Sequence, residues 1–250
     1  MNILQISVFL ENRAGQLAEI TRLLAQEGVD IRALSIAETS DYGLARMIVS
    51  DANAASSVLL HHGDILSMTP EELSEFVCSV GEKAFRAKQL FSWMHKGAQI
   101  EEMSNLPAAF RAKLAESADY RLPRIEEKYV SKIDGTVKYL FSMIDGECVE
   151  SVFMRYEHGN TLCISSQVGC RMGCRFCAST LDGLVRGLTE GEMLDQIYRI
   201  GQDIGERISN VVVMGSGEPL DNYDQLLKFI ELLTDENGIH ISQRNVTVST

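Results

Sequence analysis

Three cysteines crowd into eight residues, Cys170-Arg-Met-Gly-Cys174-Arg-Phe-Cys177, with a fourth, Cys163, shortly upstream. A C-x3-C-x2-C spacing places three thiols on one loop, and thiolates are soft ligands that favour iron–sulfur clusters, zinc or copper(I). One loop can wrap three corners of a cubane cluster and leave one iron open for a substrate. The competing reading is structural zinc with Cys163 as a distant fourth ligand. Zinc sites usually pair two close ligand elements, and no second pair is present, so the spacing favours the cluster. Clustered cysteines suit a reducing compartment, where they mark metal or redox chemistry before disulfides. No apolar run reaches the ~18–20 residues of a membrane span, and the opening MNILQISVFLENR lacks the layout of a signal peptide. A cytosolic protein with no membrane partner is expected. The net charge of −12 over 250 residues argues against broad, non-specific coating of nucleic acid.

Upstream of the cysteines the chain reads as a succession of small modules. Leu4, Ile6, Val8 and Leu10 alternate as in a half-buried strand. Leu17, Ile20 and Leu24 then follow a helical period that Gly28 ends. Strand-like runs at 29–37 and 44–50 flank a polar turn at 41–43, and a weaker helical pattern covers 52–61. This β-α-β-β-α order, and the stretch LENRAGQLAEITRLLAQEGVDI in particular, resembles an ACT domain over residues 1–64. The resemblance implies an amino-acid ligand near Gly15; a structural or dimerising module with no ligand is the plain alternative. Thr69, Pro70 and Glu72 form a helix start, and residues 65–120 read as a small helical domain. Leu73, Phe76, Val77, Leu90, Phe91 and Trp93 are its expected core. Lys83, Arg86, Lys88, Lys96, Arg111 and Lys113 make this the most basic stretch, by default a solvated face and more sharply an RNA-facing one.

From residue 126 the pattern turns strand-like, broken by the hairpin signals Asp134-Gly135 and Asp145-Gly146. Strand–helix units follow. Thr189 and Glu192 form a capping box ahead of Met193, Ile197, Ile200 and Ile204. Val211–Met214 is a continuous apolar run suited to a strand buried on both faces, residues 222–234 are amphipathic, and 245–249 begin another strand. The alternation argues for an α/β fold with a parallel sheet or barrel segment over residues 121–250. At the end of the apolar run stands Gly215-Ser-Gly217-Glu218-Pro219. Ligands of parallel α/β structures sit at the carboxyl ends of strands. Glycines there allow close approach, and Glu218 can accept from an ammonium group. Ser249 adds a polar group to the same rim.

The segments LCISSQVGCRMGCRFCAST, VVVMGSGEPLDNYD and RNVTVST, preceded by VESVFM and FRAKQLFSWMHKG, resemble the RlmN family. These are radical S-adenosylmethionine (SAM) methyltransferases that act on adenine C2 in 23S ribosomal RNA and in some transfer RNAs. The resemblance covers residues 64–250. It implies that Cys170, Cys174 and Cys177 hold a [4Fe-4S] cluster and that Gly217, Glu218 and Ser249 bind SAM. It also implies Glu150 as general base, and Cys163 as a residue that forms a disulfide with a second cysteine during product release. An electron donor for the cluster is implied as a partner. The family chemistry needs a radical because adenine C2 is a poor nucleophile: a methyl group carried on a cysteine near the C-terminus is activated by a 5′-deoxyadenosyl radical, and the cofactor carries the hard chemistry.

Two features depart from the family. An ACT-like segment is not a usual member, and the sequence ends at Thr250, at the third barrel strand. A partial barrel with an open edge is therefore expected, and the 250-residue polypeptide is expected to lack complete methyltransferase activity. A non-catalytic, amino-acid-sensing regulator carrying a vestigial radical-SAM fragment is the alternative function. Within the cysteine loop, Arg171, Arg175 and Arg186 outnumber Asp182, a local positive excess that fits the approach of one RNA base.

Overall fold

The computed structural model describes the chain except for residues 1–4, 12–15, 27, 39–41, 53, 56–63, 119 and 121–122. It divides into two compact units, Met1–His62 and Gly63–Thr250. In the first, β1 (Gln5–Glu11), α1 (Gln16–Gln26), β2 (Ile31–Glu38) and β3 (Tyr42–Val49) build an antiparallel sheet in the order β1-β3-β2. Ala45, Met47 and Val49 point to one side of β3 and bury there with Ile20 and Leu24 of α1, the outcome of period-two and period-3.6 patterns facing each other. Gly15 and most of the expected helix at 52–61 lie outside the described residues.

The second unit begins with three short helices, α2 (Pro70–Ser79), α3 (Phe85–Met94) and α4 (Ala108–Ser117). Thr69 caps α2 through a reciprocal box, its hydroxyl accepting the Glu72 N–H at 3.3 Å while Glu72 accepts the Thr69 N–H at 2.8 Å. Leu73, Val77, Leu90 and Phe91 are buried, with Phe76 and Trp93 packed partly against them. These helices do not close a core of their own. They share one continuous core with the sheet that follows.

That sheet has six strands. Strands β4 (Arg124–Val130), β5 (Val137–Ser142), β6 (Cys148–Tyr156) and β7 (Gly159–Ile164) form an antiparallel meander. Its first two turns fall at the Asp-Gly pairs. Strands β10 (Asn210–Val213) and β11 (Val246–Val248) then extend it in parallel from β7, each preceded by a helix, α5 (Glu190–Ile204) and α6 (Tyr223–Thr234). The fold is thus α/β with an α+β first unit, as expected, and its three parallel strands match the expected barrel segment. Strands β8 (Gln167–Gly169) and β9 (Leu184–Gly187) form a separate two-stranded ribbon. The cysteine loop therefore does not leave the parallel sheet directly; it is the tip of this ribbon.

The register assigns every side chain to a face. Tyr139, Phe141, Val149, Ser151, Phe153, Leu162, Ile164, Val211 and Val213 are buried against the helices. Lys138, Glu150, Val152, Cys163, Val212 and Thr247 occupy the opposite face, brought into line by the pairs Val152 with Lys138, Val152 with Cys163, and Val212 with both Cys163 and Thr247.

Candidate functional site

The three parallel strands end level, because Ile164 pairs with Val213 and Val213 with Val248. The ladder continues one step further, with the Gly215 N–H donating to the Ile164 carbonyl at 2.9 Å and the Ser249 N–H to the Val213 carbonyl at 3.2 Å. This brings Ser165, Gly215 and Ser249 to a common rim, where the sequence placed its ligand-binding turn.

The turn after β10 is locked to the segment after β7. The Ser166 and Gln167 N–H groups both donate to the Ser216 carbonyl, at 2.9 and 3.1 Å. The Ser165 hydroxyl donates to the Glu150 carbonyl at 2.7 Å and accepts the Ser216 N–H at 2.9 Å. A Cβ on Gly215 would stand 2.7 Å from the Ile164 carbonyl oxygen. Gly217 has φ +105°, and a Cβ there would meet Gln167 at 2.6 Å. Both glycines are required by close approach, and Gly217 also by its left-handed backbone. The Glu218 carboxylate accepts the Leu220 N–H at 3.1 Å and so caps the short turn that follows it.

Support comes from buried polar side chains that sequence reasoning did not single out. Gln196 on α5 accepts the Ser165 N–H at 2.9 Å and the Ser151 hydroxyl at 2.8 Å, and donates to the Ser165 carbonyl at 3.1 Å. Asn222 donates to the Ser166 and Leu188 carbonyls at 3.0 and 2.8 Å. Buried amides of this kind settle main-chain groups that leave a sheet early. The only sequence signal was a polar residue flanking an apolar stripe.

The cysteine loop is closed at its neck by the Cys170 N–H, which donates to the Gly183 carbonyl at 3.0 Å. Cys170 is buried at this root, whereas Cys174 is exposed and Cys177 half-buried. The Cys177 N–H returns to the Cys174 carbonyl at 3.0 Å, and the Thr180 hydroxyl donates to the Cys177 carbonyl at 3.0 Å. Among the described residues no three His, Cys, Asp or Glu side chains surround a single point. Three cysteine thiols carried on one loop are the donor chemistry of an iron–sulfur cluster, and this donor set fits one.

The local positive excess expected around the loop is largely neutralised. Arg186, 15% exposed, donates to Asp145 at 2.6 Å and to both Glu192 oxygens at 2.7 Å. Arg171 makes a two-point pair with Asp221, both bonds 2.8 Å. The guanidiniums hold Asp145 and Asp221 below the usual carboxylate range, against the opposing effect of burial. These partners are distant in sequence, so counting charges along the loop overlooked them. In the helical segment Arg86, Arg111 and Lys113 likewise donate to the carbonyls of Asn105, Glu101 and Val80. Of the six expected cations, Lys83, Lys88 and Lys96 are exposed.

Glu150 and Cys163 share the open face as diagonal neighbours across β6 and β7, a relation that spans roughly 7–8 Å in such ladders. Glu150 pairs with Lys138 at 2.5 Å, both side chains about half exposed (50% and 46%). Burial pushes the Cys163 thiol up, partly offset by the Met214 backbone. All six cysteines are free thiols. The disulfide implied for Cys163 is thus not formed, and its neighbours across the ladder are Val152 and Val212.

Comparison with known proteins agrees with this architecture. Residues 63–119 match the family described as Ribosomal RNA large subunit methyltransferase N-terminal domain, 164–250 the Radical SAM superfamily, and 4–59 the ACT domain. A "Probable dual-specificity RNA methyltransferase RlmN" from Lachnospira eligens is 60% identical over 189 residues, covering 75% of this chain and 54% of the relative. Along the matched residues the larger unit is similar to proteins named RlmN. A second protein of that name, from Lachnoclostridium phytofermentans, is 56% identical over 75% of this chain and 53% of its own length. The crystal structure of a radical SAM methyltransferase from Sphaerobacter thermophilus superposes with a TM-score of 0.70 at 35% identity, over 75% of this chain and 56% of that one. The chain spans about half the length of the curated RlmN relatives it matches. Among the described residues no helix is long and apolar enough to cross a membrane.

Proposed function

We propose that the larger unit carries the cluster and SAM half of an RlmN-type site, which methylates adenine C2 in 23S ribosomal RNA and in transfer RNA. The observation that carries this reading is the joining of the cysteine loop's ribbon to the Gly215–Glu218 turn, through the Ser166 and Gln167 N–H groups on one Ser216 carbonyl. Two loops with separate binding chemistries are thereby held edge to edge at the ends of parallel strands, where such folds bind ligands. The similarity to proteins named RlmN favours this reading over a non-catalytic regulator.

Cys170, Cys174 and Cys177 would hold a [4Fe-4S] cluster through one loop. When bound, the cluster and SAM supply one-electron chemistry and the methyl group. Gly217 leaves room for SAM to approach the main chain, Glu218 offers a carboxylate to its ammonium group, and Ser249 adds a hydroxyl from the next strand. Glu150 stands on the open face as the proton acceptor, its charge balanced by Lys138. Cys163 presents a thiol that burial keeps neutral to the same face. A cytosolic setting and a protein electron donor suit a loop of reduced thiols. For the ACT-type unit we propose an amino-acid ligand; calorimetric titration showing no heat with any of the common amino acids would count against it.

Anaerobic reconstitution with iron and sulfide tests the main reading. About four irons per chain are expected, against none after Cys170→Ser, Cys174→Ser and Cys177→Ser together. A wild-type chain without iron, or a triple variant that loads equally, contradicts it.

A further inference from the structure

Three side chains with no ligand role in the reading above tie the cysteine loop to the glycine turn. Arg171 directly follows Cys170 and engages Asp221 at two points, both bonds 2.8 Å. Asp221 lies in the short 3-10 turn Pro219–Asn222, just after Glu218. Gln167, 1% exposed, reaches both: its Nε2 donates to Asp221 Oδ2 at 3.1 Å, and its Oε1 accepts the Glu218 N–H at 2.8 Å. A longer link from the Ser179 hydroxyl to the Ser216 hydroxyl, 3.3 Å, lies beside them.

Arg171 is 59% exposed, and a half-exposed ion pair adds little to global stability. Its two-point geometry does something else: it fixes an angle as well as a distance. A ligand that touches metal on one loop and a carboxylate on the other depends on that spacing, since misplacements near 1 Å are costly to a preorganised site.

We propose that Asp221 is a positioning residue for SAM. Through Arg171 and Gln167 it sets the separation between the cluster-bearing loop and the Gly217-Glu218 backbone. The inference rests on the proposed cluster and SAM site. It assigns the strap to binding geometry and not to the holding of iron.

The test uses the full 250-residue chain in two forms. In the reconstituted form, SAM affinity is measured by equilibrium dialysis. Asp221→Asn is expected to weaken binding roughly tenfold while iron per chain and melting temperature stay at the wild-type level, and Asp221→Glu is expected to restore part of the loss. In the metal-free form, amide exchange is followed by mass spectrometry. Arg171→Ala is expected to speed exchange in residues 215–220, in the other loop, and to leave α6 unchanged. SAM affinity unaltered by Asp221→Asn, or lost only in step with iron and melting temperature, overturns the proposal. So does exchange in 215–220 that ignores Arg171. A wild-type chain that binds iron but no SAM removes the underlying reading and this inference together, whereas normal SAM binding in Asp221→Asn removes the inference alone.

Discussion

The two faces of the six-stranded sheet are built from the same strands and differ in almost every other respect. On one, Phe153, Leu162, Ile164, Val211 and Val213 are sealed from solvent against α5, α6 and the helices before the sheet. On the other, Glu150, Lys138, Cys163 and Thr247 are partly or wholly exposed. Alternation along each strand makes this division automatic, and a one-residue slip in register would exchange the two sets. Stability is therefore concentrated on one side, leaving the other free to carry charge, thiol and hydroxyl groups.

Substitutions that cross this division should separate sharply. Phe153→Ala empties a fully buried site and is expected to cost about 3–5 kcal/mol in urea unfolding of the chain; a loss below about 1 kcal/mol would show that the helix-covered face is not the stabilising one.

The covered side also holds a titrating group. Burial lowers the pKa of His95, at the C-terminal cap of α3, to about 4, and its Nδ1 lies 2.6 Å from the Tyr198 hydroxyl of α5. The unfolded chain takes up that proton near pH 6.5, so stability is lost as pH falls from about 6.5 towards 4. The full effect is roughly 3 kcal/mol. Comparing unfolding of wild type and His95→Asn across that range isolates it from the carboxylates, and parallel pH curves would refute a buried neutral imidazole.

Gln196 sits where the two sides meet. Gln196→Ala strands the Ser165 N–H and the Ser151 hydroxyl, an expected loss of about 1–3 kcal/mol. Amide exchange at Ser216 should rise as well, because Ser165 no longer fixes that turn; unchanged exchange there would show that the rim is set without α5.

The smallest effect belongs to the open face. Glu150→Gln breaks only a half-exposed ion pair with Lys138, and its unfolding free energy should lie within about 0.5 kcal/mol of wild type. A large loss of stability would mean that Glu150 is a structural residue and not a reactive one.

The parts of this division that were legible in the sequence are those encoded locally. The Asp-Gly turns and the Thr69 and Thr189 capping boxes each state their structure within a few residues, and each is found where expected. The Val211–Met214 run is a strand, but only Val211 and Val213 are buried and Met214 is 61% exposed, so one face is covered and not both. The three thiols were legible as a motif for the same reason. The ribbon of β8 and β9 was not, since strands of three and four residues carry no period and pair across the whole cysteine loop. Nor were the carboxylate partners of Arg171 and Arg186, which the fold brings from the turn after β10, the β5–β6 hairpin and the start of α5. Charge that looked available for RNA in the sequence is spent on holding loops together. The disulfide implied for Cys163 rested on a resemblance alone, and no ladder neighbour of Cys163 is a cysteine.

The central claim is that the cysteine loop and the Gly215–Glu218 turn form one site. Electron paramagnetic resonance of the reconstituted, reduced chain tests it directly, because a ligand that reaches the open iron changes the cluster's signal. Adding SAM should shift the spectrum of the wild-type chain and leave that of Glu218→Ala unchanged at the same concentration. A wild-type cluster whose spectrum is indifferent to SAM would contradict the claim.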